Sequence, residues 1–273
     1  MKKCIEALKQ SPVITGIIGM VVAICAMKIL STRDGDLLKM LALRVLLFLS
    51  VSVFAYLISR EKSFENSRAT VGYVVKWGLL PLILPILLFP LNFTSGKPLA
   101  ANWPVQLILS TLVCLFVGLY EEVTFRVIIN DAILYKFRDS KHVFVWIALI
   151  SSFIFGGVHV LGASMQSGAA VVTALLKILQ TAIFGFCMLI LYWKTRNILG
   201  IAIAHGIFDG LSAVPGAVFS DTSNLGSAEA YVNSGSEGMI SLIGYIVALT
   251  IGAVILWIKV GRKIDFEEIR KTW

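Results

Sequence analysis

The sequence is short of charged residues, which make up only 15% of its 273 positions, whereas 58% are hydrophobic. Its mean hydropathy of +0.86 lies well outside the range of soluble globular domains. A soluble globular protein is therefore excluded. The composition predicts a membrane protein that crosses the bilayer several times.

Cysteine and histidine are also scarce. The helical zinc motif HExxH is absent, which excludes a conventional zincin. Two of the three histidines, His159 and His205, nevertheless lie inside apolar runs. The cysteines have no metal-like spacing and are expected to be packing residues rather than disulfides or ligands; they are Cys4, Cys25, Cys114 and Cys187.

Eight apolar runs are each close to the roughly 20 residues that a helix needs to cross a bilayer. The first, from Pro12 to Leu30, is too long for a signal-peptide core and has no cleavage site after it, so it predicts an uncleaved span. The fold class predicted is all-α, with about eight transmembrane helices. The third run contains three prolines, which predict a kink. The runs cover residues 12–30, 37–59, 70–91, 105–130, 143–162, 170–193, 198–219 and 239–260.

These spans predict one membrane domain over residues 1–273. Its expected parts are an N-terminal three-helix extension, 1–99, a central core, 100–220, and a last span with a basic cytoplasmic tail, 239–273. The tail from Lys259 to Trp273 is expected to form a solvated helix at the anionic leaflet. The polar segment Ser220–Gly238 is expected to be an outside loop.

The distribution of basic residues predicts the orientation. Sixteen of the 24 lysines and arginines lie at alternate ends of the spans, in the segments 2–9, 60–68, 136–141, 194–196 and 259–271. By the positive-inside rule both termini are then cytoplasmic. The net charge of +8 is thus explained by topology, and nucleic-acid binding is excluded.

Polar residues inside the spans need a reason, because a charge at bilayer depth costs roughly 2.5–3.5 kcal/mol on insertion scales. Glu122 and Arg126 are four residues apart, so they share a helix face and are expected to pair as a structural bridge. Glu121 is rotated by about 100° from Glu122 about the helix axis, so it is expected to have a different role from this pair. His205 and Asp209 form a second pair at the same spacing.

An antiparallel hairpin is expected to bring Glu121 close to His159. Both residues lie 19 positions from residue 140, inside the basic connection between the fourth and fifth spans. Residues equidistant from such a turn lie side by side. His142, within that connection, is expected to be an ordinary surface residue.

This set of residues suits hydrolysis. A carboxylate and an imidazole in a partly dry cavity can hold a water and take its proton. A second imidazole and Asp209 can orient the water or stabilise an oxyanion. The same donors, Glu121, His159 and His205, could instead hold a zinc ion with an open catalytic position.

Three motifs resemble those of the CPBP family, the intramembrane proteases related to the type II CAAX prenyl endopeptidase and to bacterial Abi proteins. They are Glu121-Glu122-x-x-x-Arg126, Phe155-x-x-x-His159 and His205-x-x-x-Asp209. The resemblance covers roughly residues 100–220 and matches in order and spacing, so it implies that this central core is the catalytic core.

The resemblance implies an endopeptidase in which Glu121 and His159 activate water and His205 and Asp209 support the oxyanion. Glu122 and Arg126 would shape the site. It leaves open whether catalysis is of glutamate type or metal-dependent. Position 209 is Asp where the eukaryotic prenyl proteases have Asn, and an ionised aspartate cannot donate to an oxyanion.

The expected partners are the lipid bilayer and a membrane-associated peptide or protein substrate, in a bacterial plasma membrane. Peptide processing and bacteriocin self-immunity are the functions that the bacterial relatives suggest. Two alternatives remain open. One is a non-catalytic immunity or scaffold protein, and the other is a transporter with a Glu–His proton relay. No inverted repeat supports the transporter.

Overall fold

The computed structural model describes residues 6, 8, 10–30, 36–58, 69–93, 98–219 and 235–272. Within these residues the fold is all-α, and the only extended pairing is an isolated antiparallel bridge between Leu99 and Phe219. The α-helices are α1 (Pro12–Ile29), α2 (Leu37–Ile58), α3 (Val71–Leu79), α4 (Ile83–Leu88), α5 (Trp103–Glu122), α6 (Asp131–Phe137), α7 (Val143–Val158), α8 (Gly168–Thr195), α9 (Ile198–Val218), α10 (Gly235–Lys259) and α11 (Phe266–Thr272).

Seven stretches of helix within the described residues are long and apolar enough to cross a membrane. They match seven of the eight predicted spans, so the predicted fold class is confirmed. The fifth span, predicted over 143–162, is helical only over the 16 residues of α7. The helix tightens and stops because the N–H groups of His159 and Val160 bond to carbonyls three residues back, and Gly162 then turns the chain with a φ of 82°.

The third span is irregular, as its prolines predict. Short 3₁₀ helices interrupt it at Leu80–Leu82 and Phe89–Phe93, and each contains one of the prolines, Pro81 or Pro90. A proline has no N–H to donate to the preceding turn, so the α-helical hydrogen-bond ladder breaks there.

α8 is the central helix of the bundle. About two thirds of the residues in its most apolar stretch are buried inside the protein. Ser167 caps its start by accepting a hydrogen bond from the N–H of Ala170. It ends at Arg196, whose φ of 55° is left-handed, and Asn197 caps the following α9 through the N–H of Gly200. The short 195–198 connection therefore holds α8 and α9 as antiparallel neighbours.

The basic tail was expected to form a solvated helix, but its helix α11 instead packs against one end of the bundle. Phe266 of α11 contacts Phe144 and Trp193, with ring centroids 4.5 and 5.7 Å apart. Ile269 is almost fully buried. Arg270 donates to the carbonyl of Arg138. The apolar face of α11 explains the difference, because Phe266 and Ile269 lie one helical turn apart on one side.

The segment Ser220–Gly238, expected to be an outside loop, lies outside the described residues up to position 234, and its last four residues begin α10. Both chain termini also lie outside the described residues.

Candidate functional site

The site is built where α5 and α9 approach closely. Gly118 and Gly206 make this possible, since neither has a side chain. A Cβ on Gly118 would lie 2.7 Å from the carbonyl oxygen of Ala202, and one on Gly206 would lie 2.9 Å from the Cα of Leu115. The pair forms a small-residue seam of the kind by which membrane helices pack. This seam places the end of α5 beside His205 of α9.

Glu122, the last residue of α5, bonds to both sides of the seam. Its Oε2 accepts from Nε of Arg126 at 2.8 Å, and its Oε1 lies 2.8 Å from Nδ1 of His205. The side chains of Glu122 and Arg126 have no exposed surface, and that of His205 is 1% exposed. The pairing of Glu122 with Arg126 predicted from the sequence is confirmed. The bond to His205 was not predicted, because it joins residues 83 positions apart.

Arg126 links the site to α7 and α8. It donates from Nη2 to the carbonyl of Gly185 at 3.1 Å, and its guanidinium lies 5.6 Å from the centre of the Phe155 ring. The rings of Phe155 and Phe184 approach His205 edge-on from two directions, with centroids 5.7 and 5.1 Å away. These contacts fix the plane of the His205 imidazole.

Glu121 lies between the two histidines. Its Oε2 is 3.9 Å from Nε2 of His159 and 3.7 Å from Nε2 of His205. The residue is only 8% exposed, and Oε2 accepts no hydrogen bond from any described residue. The proximity of Glu121 to His159 expected from hairpin spacing is therefore observed. A buried carboxylate oxygen that faces two imidazole nitrogens and accepts no hydrogen bond can bind a water or a polar group of a substrate.

The hydrogen bonds of the two rings determine which nitrogen faces Glu121. Nδ1 of His159 lies 2.7 Å from the carbonyl oxygen of Phe155, which can only accept, so Nδ1 carries a proton. Nδ1 of His205 likewise donates to Glu122. In its neutral form each ring turns the lone pair of Nε2 toward Oε2 of Glu121, and a second proton on His205 would convert its Nε2 into a donor.

Asp209 lies one turn beyond His205 on α9 and completes the cluster of polar side chains at the site. This Glu121 cluster consists of Glu121, Glu122, His159, His205 and Asp209. Oδ2 of Asp209 lies 3.7 Å from Nε2 of His205. With 28% of its side chain exposed, and His159 with 23%, these two are the most accessible members of the site. The cluster is therefore most open to its surroundings at His159 and Asp209. His142, by contrast, lies in the exposed hairpin, as expected.

Three further buried polar residues were missed in the sequence. Lys177 and Gln180 lie on α8, where Nζ of Lys177 donates to Oε1 of Gln180 at 2.9 Å. Arg44 of α2 is 6% exposed and interacts electrostatically with Glu121. None of the three has an oppositely charged residue at helical spacing, which is the signal that identified the other pairs. Their location within predicted spans was the one available indication.

A π-helix follows Glu122 directly, over Val123–Asn130, and all eight of its residues are buried. At its end the N–H of Asp131 bonds to the carbonyl of Arg126, five residues back. Such turns are rare and concentrate at functional sites. No residue pattern marks a π-helix, so the sequence predicted an ordinary helix here.

A second polar network lies where α6 contacts the end of α8. Asp131 accepts from Tyr192 at 2.8 Å and pairs with Arg196 at 3.2 Å. Burial opposes the charge of Arg196, but the Asp131 carboxylate more than offsets it and holds the pKa of Arg196 above its ordinary value. The network fixes α6 to the α8–α9 connection and lies apart from the Glu121 cluster.

The chemistry of the cluster suits one bound water. A gap of 3.9 Å is too long for a direct hydrogen bond between Glu121 and His159, and one water can bridge it. No set of three or more His, Cys, Asp or Glu side chains in the described ranges is arranged to hold a metal ion. That Glu121, His159 and His205 hold a zinc ion, expected as one possibility, stays a prediction.

Comparison with known proteins gives a single finding. Residues 102–211 match the family described as type II CAAX prenyl endopeptidase Rce1-like. The matched segment runs from the start of α5 into α9 and contains every member of the Glu121 cluster. No curated protein and no solved structure matches the chain.

Proposed function

From the match of residues 102–211 to the type II CAAX prenyl endopeptidase Rce1-like family, we propose that this multi-pass membrane protein is an intramembrane endopeptidase in which Glu121 and His159 hydrolyse a peptide bond. The observation that carries the proposal is the buried Oε2 of Glu121, which lacks a donor and faces Nε2 of both His159 and His205.

The nucleophile is a water between Glu121 and His159. Both groups accept hydrogen bonds at the atoms that face each other, so the water donates one hydrogen to each. One of its lone pairs then points away from both groups, toward the substrate. Glu121 removes the water proton that it accepts, which makes the water oxygen a nucleophile. Positioned general-base catalysis of this kind typically increases the rate by about 10²–10⁴-fold.

The reaction proceeds by addition and collapse. Water oxygen bonds to the peptide carbonyl carbon, its proton passes to Glu121, and the carbonyl oxygen becomes an oxyanion. His205, held at Nδ1 by Glu122, can present an N–H at Nε2 to that oxyanion when its ring carries a second proton. The C–N bond then breaks, and Glu121 returns the proton to the leaving amine.

The remaining residues hold this geometry. Glu122 and Arg126 fix His205, and Phe155 fixes His159 through its carbonyl oxygen. Asp209 is proposed to orient His205 from Nε2, since an ionised carboxylate cannot donate to an oxyanion. A metal bound at Glu121, His159 and His205 would polarise the carbonyl and acidify the water. The mechanism here is carried by the side chains alone.

The substrate proposed is an extended peptide segment of a membrane-associated protein, in a bacterial plasma membrane with both termini cytoplasmic. A site enclosed by membrane-spanning helices suits a substrate that is itself held at the membrane. The biological role that we propose is peptide processing or self-immunity to bacteriocins.

The test uses purified protein in liposomes with a library of internally quenched peptides, with and without a chelator. We expect cleavage that the chelator does not abolish. His159→Ala should lower the rate by at least about 100-fold, because it removes one of the two groups that hold the water. His142→Ala, in the exposed hairpin, is the matched control and should cleave at the wild-type rate.

Three outcomes would overturn the proposal in different ways. If folded wild-type protein cleaves no peptide, a non-catalytic immunity or scaffold role is favoured. Proton-coupled flux that requires Glu121 would favour the transporter. Cleavage that is lost on chelation and restored by zinc would replace side-chain activation of water by a metal mechanism.

A further inference from the structure

The helix α1 contacts both parts of the site that hold the water, although it provides no member of the Glu121 cluster. It also lies outside the segment 102–211 that matches the family. Two long-range hydrogen bonds involve α1. One joins it to Tyr120, directly before Glu121, and the other joins it to Leu161, two residues after His159.

The first bond lies at Tyr120 of α5. This side chain is 2% exposed, and its hydroxyl donates to the carbonyl of Ala23. Close packing supports the same alignment, since a Cβ on Gly16 would lie 2.9 Å from the carbonyl oxygen of Ile128 in the π-helix. Gly16 and Ala23 are two turns apart on one face of α1. Ile128 and Tyr120 follow in the reverse order, so α1 runs antiparallel to this part of α5 and the π-helix.

The second bond holds the end of α7. Nζ of Lys28, in the last turn of α1, donates to the carbonyl of Leu161 at 2.7 Å. This carbonyl belongs to the tightened turn in which the N–H groups of His159, Val160 and Leu161 bond three residues back. Such 3₁₀ turns have poorer hydrogen-bond geometry than an α-helix, and helix ends fray. A donor from another helix therefore holds the turn that carries His159.

The separation of Glu121 and His159 depends on the helices that bear them. Oε2 of Glu121 and Nε2 of His159 are 3.9 Å apart, so no direct hydrogen bond fixes the gap. Ala23 and Lys28 lie five residues apart on α1, about 7.5 Å along its axis. One helix thus connects the backbone next to Glu121 with the turn that carries His159.

We propose that α1 is a clamp that fixes the separation of Glu121 and His159. Tyr120 and Lys28 are its positioning residues, one for each side of the gap. The proposal rests on the proposed function and deepens it, because the clamp maintains a gap that one water fills. Neither positioning residue needs to touch the substrate.

The first test measures kcat and KM in the peptide-cleavage assay. Tyr120→Phe removes only the hydroxyl and should lower kcat by about tenfold, because a shift of about 1 Å at a catalytic centre can lower a rate by about 100-fold. Lys28→Met should lower kcat by about three- to tenfold for the same reason. KM should change little, since neither side chain binds the substrate. Lys28→Arg, which keeps a donor, should retain most of the wild-type kcat.

The double variant of Tyr120→Phe and Lys28→Met distinguishes a clamp from two independent contacts. A clamp is released when either bond is lost, so the double variant should be at most about twofold slower than the slower single variant. Independent contacts would instead multiply their effects on kcat.

Hydrogen exchange tests the clamp without any substrate. Exchange of the backbone amides of 159–163 is measured by mass spectrometry on the peptide that spans 155–167. Lys28→Met should increase the exchange rate there by at least about threefold, because the turn opens more often. Lys28→Arg should exchange at the wild-type rate.

Matched controls remove the same groups elsewhere. Tyr56→Phe, at an exposed tyrosine of α2, and Lys76→Met, at an exposed lysine beside Trp77, should leave kcat unchanged. Thermal unfolding of each purified variant identifies loss of fold. If Tyr120→Phe does not accumulate, the two Lys28 variants and their exchange rates carry the test.

The outcomes distinguish the two proposals. If the wild type cleaves and both single variants keep the wild-type kcat, the clamp is refuted and the proposed function stands. Effects that multiply in the folded double variant, or unchanged exchange in Lys28→Met, refute the clamp equally. If the folded wild type cleaves nothing, the proposed function fails, and the positioning roles fail with it whatever the exchange rates are.

Discussion

At the scale of single residues, two adjacent glutamates have different environments. Both oxygens of Glu122 are engaged, one by Arg126 and one by His205. Oε2 of Glu121 is buried without a donor and faces both histidines. A hydrogen-bonded carboxylate is held in place, whereas one without a donor can bind water and exchange protons. From this difference we propose a structural role for Glu122 and the chemical role for Glu121.

Arg126→Met should destabilise the protein by about 3–5 kcal/mol, because it leaves Glu122 as a buried charge with its ion-pair partner removed. Thermal or denaturant unfolding in detergent measures this. Arg262→Met, at an exposed position in the turn after α10, is the matched control and should change little. Equal stability of both variants would show that the Glu122–Arg126 pair does not support the fold.

Sequence spacing predicted the local contacts of the site and missed the distant ones. Glu122 with Arg126 and His205 with Asp209 follow from four-residue spacing. Contacts between separate helices, such as Glu122 with His205, depend on how the helices cross, and the intramembrane Lys177 has no charged residue at helical spacing to mark it. Only the Glu121–His159 proximity could be reached, because one hairpin joins those two helices.

At the scale of helices, the site depends on the seam between α5 and α9. Gly118 and Gly206 let the two backbones approach within a distance that a methyl group would obstruct. The seam is what places Glu121 and Glu122 against His205. Gly118 and Gly206 lie in different spans, and no spacing rule pairs them in the sequence.

Gly118→Ala should lower peptide cleavage by about 100-fold, since a displacement of about 1 Å at a catalytic centre can have that effect. A Cβ there would clash with backbone atoms of α9, which cannot rotate away. Gly216→Ala, on α9 itself, has nothing within 4 Å of its added Cβ and should be active. Rates measured on folded protein decide between them, and equal rates would contradict the seam's role.

The π-helix is the element that the sequence could not predict. Its hydrogen bonds run five residues back, but its residues, Val123–Asn130, are those of any buried helix. The shortened α7 is similar, since its apolar pattern continues past Val158 while the backbone turns. In both cases tertiary packing determines the backbone conformation, and it cannot be predicted from the local composition.

At the scale of the whole molecule, the basic residues and the docked tail mark one end of the bundle. The 138–142 hairpin, α11 and the 195–198 connection meet there, with Arg270 bonded to the carbonyls of Arg138 and Lys141. Composition and span length predicted the helical membrane fold because both are dictated by the bilayer. The docking of α11 could not be predicted, since a short amphipathic helix suits either lipid or protein.

The orientation can be tested with single cysteines in a variant without the four native ones. Ser140→Cys lies in the exposed hairpin, and Gln166→Cys lies in the exposed α7–α8 connection at the opposite end of α7. From the positive-inside rule we expect a membrane-impermeant thiol reagent to label Gln166→Cys in intact cells, and Ser140→Cys only after permeabilisation. The reverse labelling pattern would invert the proposed topology.

The most direct test of the central claim is the cleavage rate of Glu121→Gln in liposomes, measured beside Glu267→Gln on the exposed face of α11. Glutamine keeps the size of the side chain but cannot take a proton from water. We predict that Glu121→Gln folds normally and loses at least about 100-fold in kcat, while Glu267→Gln matches the wild type. Wild-type cleavage by folded Glu121→Gln would contradict the account.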